Sequence, residues 1–350
     1  MERNIRPAKS KATRRCVLMA GAAATMSTAI ALAPGAAQAE VETTTVAYQY
    51  GITYLPLLIM RNQEMIEKHA AEMGMDALEV DWNTYSSGAA MNDALISGNL
   101  HFAATGTPPL ITIWDRTREN LDVRGVAAFS ALPQYLVTRN PDVETIEDFT
   151  SEDRIALPAV GVSLQATELQ MAAAQVWGPE NYDRLDDITV SMSHPDGMVA
   201  LLSGSSEITA HFTNPPFQYQ ALAEDNIRMV LSSFDVMGGP VTNGIIAATD
   251  VFREENPTVY AAFLAALDES MDFIAENPEQ SAEIYLEESG STLELDFVLE
   301  MLGREDTVFS STPTRTMVFA DFMADIGRID NRPEDWRALY FPEIHDRDGS

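Results

Sequence analysis

From Thr43 onward short β-like runs alternate with helical ones, and that alternation restricts the chain to the α/β class. Strands are expected at 45–49, 78–82, 101–104 and 123–129, with helices at 55–73, 89–97 and 108–119 between them. A crossover near 135–138 restarts the pattern with strands at 154–157, 188–192, 208–212 and 227–231. Its helices fall at 165–176, 195–202 and 215–224, and a second crossover is expected at 244–248. Everything beyond reads as helical: 257–275, 278–287, 293–302 and 314–327.

An internal echo points to two related lobes. Leu95-Ile96-Ser97-Gly98 and Leu201-Leu202-Ser203-Gly204 each end a helix in a Ser-Gly turn. Each is followed by a short strand and then by Pro-Pro, at Pro108-Pro109 and Pro215-Pro216. The alternative is independent arrival at a common helix–strand–helix unit.

The first forty residues read as an export signal rather than as part of the fold. Six bases stand against one acid, Glu2, before an apolar run from Cys16 to Ala33, and Ala37-Gln38-Ala39 offers a cleavage site. Arg14-Arg15 suggests the twin-arginine route, against a general secretory signal carrying a chance Arg pair. Cleavage would leave Glu40 first, with no cysteine and with Lys68 as the sole lysine. Removing six bases and one acid takes the net charge from -31 to -36. Such a field repels phosphate backbones and anionic lipid, which excludes nucleic acid and membrane surfaces as partners, and it suits salt-rich surroundings.

Motifs for catalysis are missing. The five histidines are scattered along the sequence without an HExxH spacing, so no metal site is expected. No phosphate-binding GxxxxGK[ST], no GxGxxG after a strand and no GxSxG elbow occurs, so neither a nucleotide cofactor nor a serine nucleophile is expected. What recurs is the junction of a strand with a capped helix: Ser87-Gly88, Thr107-Pro108, Ser163-Leu164, Ser193-His194-Pro195 and Asn214-Pro215. Ser, Thr and Asn cap free N–H groups and Pro fits the first helical position. In an open α/β sheet such junctions line the crevice beyond the strand ends, where helix N-termini hold an anion without Lys or Arg. Aromatics flank the same ends, Tyr48, Tyr50 and Phe217 among them.

The segments Ala47-Tyr48-Gln49-Tyr50-Gly51, Trp82-Asn83-Thr84-Tyr85-Ser86-Ser87-Gly88, Thr105-Gly106-Thr107-Pro108-Pro109 and Asn256-Pro257 carry a further reading. The chain resembles the periplasmic substrate-binding proteins of ABC importers for sulfonates, taurine and nitrate, a set that includes thiamine-precursor binders. The resemblance implies a two-lobed periplasmic-binding-protein fold (type II) with two crossover strands and a ligand cleft between the lobes. It divides the chain into a signal peptide (1–39), lobe one (40–133 and 244–350) and lobe two (134–243). It implies a periplasmic, monomeric receptor, not an enzyme, that needs no cofactor and hands a small organic anion to a permease and its ATPase. A pyrimidine precursor of thiamine is the alternative ligand, and a pyrimidine-synthase-like enzyme of the same fold the alternative class. Ligand-binding positions carried over are Gln49, Tyr50, Ser87, Gly88, Thr105 and Thr107 in lobe one, with Ser130, Ser163, Asn214, Gly239 and Thr242 in lobe two and the hinge. Thr213-Asn214-Pro215 stands where taurine-like members read Trp-Asp-Pro. An amide cannot pair with a ligand ammonium as a carboxylate does, which shifts the expectation from taurine to a neutral-tailed or aromatic anion.

Overall fold

The computed structural model describes residues 39–350. Arg14-Arg15, Cys16 and the other residues up to Gln38 of the segment expected to be an export signal lie outside the described residues. Among the described residues there are ten strands: β1 (Thr43–Tyr48), β2 (Glu79–Thr84), β3 (Phe102–Gly106), β4 (Arg124–Ser130), β5 (Tyr135–Thr138), β6 (Ile155–Leu157), β7 (Thr189–Ser191), β8 (Ala210–Thr213), β9 (Arg228–Ser232) and β10 (Gly244–Ala248). They form two five-stranded sheets of the same design, β2-β1-β3-β10-β4 and β7-β6-β8-β5-β9. In each, three parallel strands are followed by one that runs antiparallel to both neighbours. Each sheet with its helices makes one lobe, and the chain crosses between them at 131–134 and 233–243.

Burial explains the strand sequences. β3 and β10 are buried along their whole length, as strands covered by helices on both faces must be, and they read Phe-Ala-Ala-Thr-Gly and Gly-Ile-Ile-Ala-Ala. The edge strand β2 is largely exposed and carries Glu79 and Asp81, charges that discourage pairing with another chain. The sequence echo falls on matching places. Its two strands, β3 and β8, occupy the third position of their sheets, each behind a helix ending in the Ser-Gly turn (Gly88–Ile96 and His194–Ser203).

The crossings are tied to each other. Asn243 N–H donates to the Ser130 carbonyl at 3.1 Å and its side-chain amide to the Leu132 carbonyl, while Ser233 N–H donates to the Gln134 carbonyl at 2.8 Å. The C-terminal segment also reaches lobe two: Arg328 Nη1 donates to Thr167 Oγ1 at 2.9 Å, and the Arg304 guanidinium lies 4.9 Å over the Tyr219 ring.

Three helical expectations change, the helix expected at 314–327 being confined to Met317–Asp325. The helix expected at 55–73 is two helices, Leu55–Asn62 and Met65–Glu72, because Glu64 takes a left-handed φ of 50° that interrupts the ladder. The helix expected at 215–224 contracts to Phe217–Leu222 because the backbone from Asn214 to Pro216 turns before it can coil.

The longest helix, Pro257–Glu276, starts without a cap from its own Asn256. Glu40 replaces it, its carboxylate accepting from Thr258 N–H at 2.9 Å and Val259 N–H at 3.0 Å. An anion there is stabilised by unpaired donors and by the helix dipole. Glu40→Ala is therefore expected to cost ~1 kcal/mol and to lower Tm by roughly 2 °C, read by calorimetry. An unchanged Tm would show that water caps this helix equally well.

Candidate functional site

Four helices, two from each lobe, begin at one small cavity. Gly88, Gly106, Ser163 with Leu164, and His194 line it, and they open the helices Gly88–Ile96, Thr107–Thr117, Leu164–Trp177 and His194–Ser203. Ser87, Ser163 and Ser193 act as N-caps, accepting from Ala90, Ala166 and Asp196 N–H groups at 3.2–3.3 Å. Thr107 does not cap. Gly106 holds the N-cap position, and the Thr107 hydroxyl donates to the Thr242 carbonyl at 2.6 Å, which joins lobe one to the second crossing.

The cavity measures about 20 Å³, room for one or two waters. Among the described residues no acid, lysine or arginine lines it. Its polar side chains are nearly all buried, and most are already hydrogen-bonded within the protein. Gln49 Nε2 donates to Tyr54 Oη at 2.8 Å. Gln165 Nε2 donates to Gln134 Oε1 and faces His194 Nε2 at 3.5 Å, leaving His194 Nδ1–H to donate to Thr213 Oγ1 at 2.8 Å. Burial pushes His194 down to about 3 and holds His211 well below its usual range, so both imidazoles are neutral. The two histidines, 17 positions apart in sequence, have ring centroids 5.8 Å apart. The scattered distribution along the chain therefore misleads for this pair, which the fold brings together. Among the described residues no group of three His, Cys, Asp or Glu is placed to hold a metal.

The lobes touch directly beside the cavity. Asn214 Nδ2 donates to the Tyr50 carbonyl at 3.0 Å, and Ile52 N–H donates to the Pro215 carbonyl at 3.0 Å. Gly51, with φ 115° and ψ 166°, allows that approach; a Cβ there would sit 2.6 Å from the Pro215 oxygen. Asn214 is thus an inter-lobe tie and not the helix cap that its position before Pro215 suggests. Pro216 occupies the N-cap of the following helix. Asn214 Oδ1 is buried without a partner, as is Thr105 Oγ1.

Of the positions named from sequence, Gln49, Gly88, Ser163 and Asn214 line the cavity, and Ser87 caps the helix that Gly88 opens. Thr105 packs immediately behind Gly88, where an added Cβ would lie 2.3 Å from its hydroxyl. Ser130 ends β4 at the start of the first crossing, its Oγ 3.3 Å from Asn243 Oδ1, and Thr242 binds the Thr314 N–H at 2.8 Å. Gly239 sits beside Arg315, away from the cavity. Sequence reading placed His194 only at a helix start and missed Gln165, Gln134, Asn243 and Tyr54. A usable signal existed for two of them, since Gln134 and Asn243 are the polar residues that stand directly before β5 and β10.

A second, larger pocket of about 420 Å³ opens next to the first, and Gln49 lines both. Lobe one supplies Tyr48, Tyr50 and Tyr285; lobe two supplies Pro195, Pro216 and Phe217. Its one acid, Glu288, is bound by Arg61 Nε at 2.5 Å and by Asn62 Nδ2 at 2.9 Å.

A sequence profile of the NMT1-like family matches residues 37–286. No curated protein matches the sequence. Among solved structures, the alkanesulfonate-binding protein SsuA from Xanthomonas axonopodis pv. citri, bound to MOPS, is 16% identical with a TM-score of 0.67, covering 86% of this chain and 99% of its own. The periplasmic aliphatic sulphonate-binding protein SsuA from Escherichia coli is 17% identical with a TM-score of 0.60, covering 86% and 92%. The periplasmic nitrate-binding protein NrtA from Synechocystis PCC 6803 is 16% identical with a TM-score of 0.64, covering 86% and 85%.

Proposed function

The chain belongs to the NMT1-like family, and from that premise we propose that it is an exported solute receptor that binds a small organic anion in the inter-lobe cleft. In this reading lobe one comprises 40–133 and 244–350, lobe two comprises 134–243, and the receptor delivers its ligand to the permease and ATPase of an ABC importer. The structural neighbours named above are binding proteins for sulfonates and nitrate. One observation carries the proposal: four helix N-termini, two from each lobe, meet at a cavity whose lining holds no acid. Unpaired N–H groups and aligned dipoles there favour negative charge and need no lysine or arginine. Because the cavity holds only a water or two, a ligand enters when the lobes part, and closure follows from contacts made only in the closed state.

Asn214 Oδ1 favours a second reading. A buried acceptor without a partner suits a ligand that donates a hydrogen bond, such as an aminopyrimidine related to thiamine precursors.

A thermal-shift panel of sulfonates, carboxylates, nitrate and aminopyrimidines separates the two. A ligand at a hundred times its Kd contributes about 2.7 kcal/mol, a rise of several degrees. Organic anions are expected to give it. A response confined to aminopyrimidines would replace the first reading with the second, and silence across the panel would sink both.

A further inference from the structure

We propose that the 420 Å³ pocket at the mouth of the cleft is a subsite for an uncharged planar ring, so that the ligand is an aryl or heteroaryl compound whose polar end points into the small cavity. The proposal rests on the cleft being the ligand site. The size difference comes first. A cavity of about 20 Å³ cannot hold the body of an organic solute, whereas 420 Å³ lies within the 300–1,000 Å³ range of small-molecule pockets. The two spaces adjoin at Gln49, which lines both.

The walls decide the chemistry. Tyr50 projects from lobe one with 40% of its surface exposed. Phe217 faces the same pocket from lobe two and is held by stacking on His194, with centroids 5.9 Å apart and planes 17° apart. Rings offered from both lobes favour another ring, through offset stacking or edge-to-face contact. Charge is disfavoured in either sign. The Glu288 carboxylate is already bound by Arg61 and Asn62, and Arg61 itself lies 5.7 Å over the Tyr48 ring, so that wall neither seeks a cation nor offers a free one. A ring in this pocket would touch both lobes, and its contacts would add to the closed state only.

Three pairs of compounds with matched head groups test the idea on the full mature chain by calorimetric titration: benzenesulfonate against methanesulfonate, benzoate against acetate, and benzamide against acetamide. In the pair whose head group binds best, the aromatic member is expected to bind at least ~10-fold tighter, which is 1.4 kcal/mol. Phe217→Ala and Tyr50→Ser should each bring that ratio towards one. Tyr50 is exposed enough for its variant to fold, which covers a failure of the Phe217 variant. Aromatic and aliphatic members binding equally, a ratio that survives both substitutions, or no binding by any of the six at millimolar concentration would each overturn the subsite. The anionic reading fails separately, if benzamide binds as tightly as benzoate and benzenesulfonate.

Discussion

Gly51→Ala is expected to weaken capture of the best ligand roughly 100-fold, with little change in the fold of either lobe. Gly51 holds φ 115° and ψ 166°, a region essentially closed to side chains, at ~1–3 kcal/mol for any other residue. Its missing Cβ would also lie 2.6 Å from the Pro215 oxygen and 2.8 Å from Asn214 Nδ2, both in the other lobe. The collision disappears when the lobes part, so the alanine penalises the closed state specifically. It removes the Ile52–Pro215 and Asn214–Tyr50 hydrogen bonds at the same time, each contributing ~1 kcal/mol. Apparent affinity scales with the closed fraction, and every 1.4 kcal/mol is a factor of ten. Titration of the variant with the compound giving the largest thermal shift reads the loss. X-ray scattering reads its cause as an increased radius of gyration. Wild-type affinity in the variant would mean that closure does not depend on this contact.

Glu168→Gln is expected to stabilise the protein by several degrees at pH 8 and to leave Tm unchanged near pH 4.5. Glu168 lies one turn beyond Leu164 and Gln165 on the helix that opens at the cavity, fully buried, with neither carboxyl oxygen bonded. Desolvation raises its pKa well above the ordinary 4.5, so the folded protein keeps the proton. Below 4.5 the folded and unfolded chains are both protonated and the group is indifferent to pH. As pH rises above that value the unfolded chain releases the proton first, so stability falls until the folded carboxyl also ionises. A buried, unpartnered carboxylate costs more than the ~1–3 kcal/mol of an unpaired neutral group, and each kcal/mol is worth about 2–4 °C in a domain of moderate size. Glutamine keeps the shape and cannot ionise. Parallel melting curves of the two proteins from pH 4.5 to 8 would refute the assignment.

The inner strands were legible because buried strands in an α/β lobe leave short apolar runs bounded by turn residues, and β10 falls on its expected residues, 244–248. Three of the four helix starts at the cavity carry a serine cap, which the sequence also reveals. What the sequence hides is partnership at long range. Asn214 reads as a cap from its neighbours, yet its amide binds a carbonyl 164 positions away. His194 and His211 look unrelated until the start of one helix is laid beside β8, where His194 binds Thr213. The interruption at Glu64 has no glycine or proline to announce it, because a single left-handed residue is set by tertiary packing.

The placement of β10 between β3 and β4 has a consequence for the order in which the chain can be assembled. All five strands of the second sheet come from one stretch, 135–232, so that sheet can be completed as soon as the stretch emerges. The first sheet cannot. Until residues 244–248 arrive, β3 and β4 share no hydrogen bonds, and each presents an open edge of the kind that recruits foreign strands. The N-terminal lobe is therefore the last to close although it is the first to be synthesised. A chain that has emerged as far as residue 240 or so would carry one finished sheet beside an interrupted one, and this is the interval in which a chaperone has most to shield.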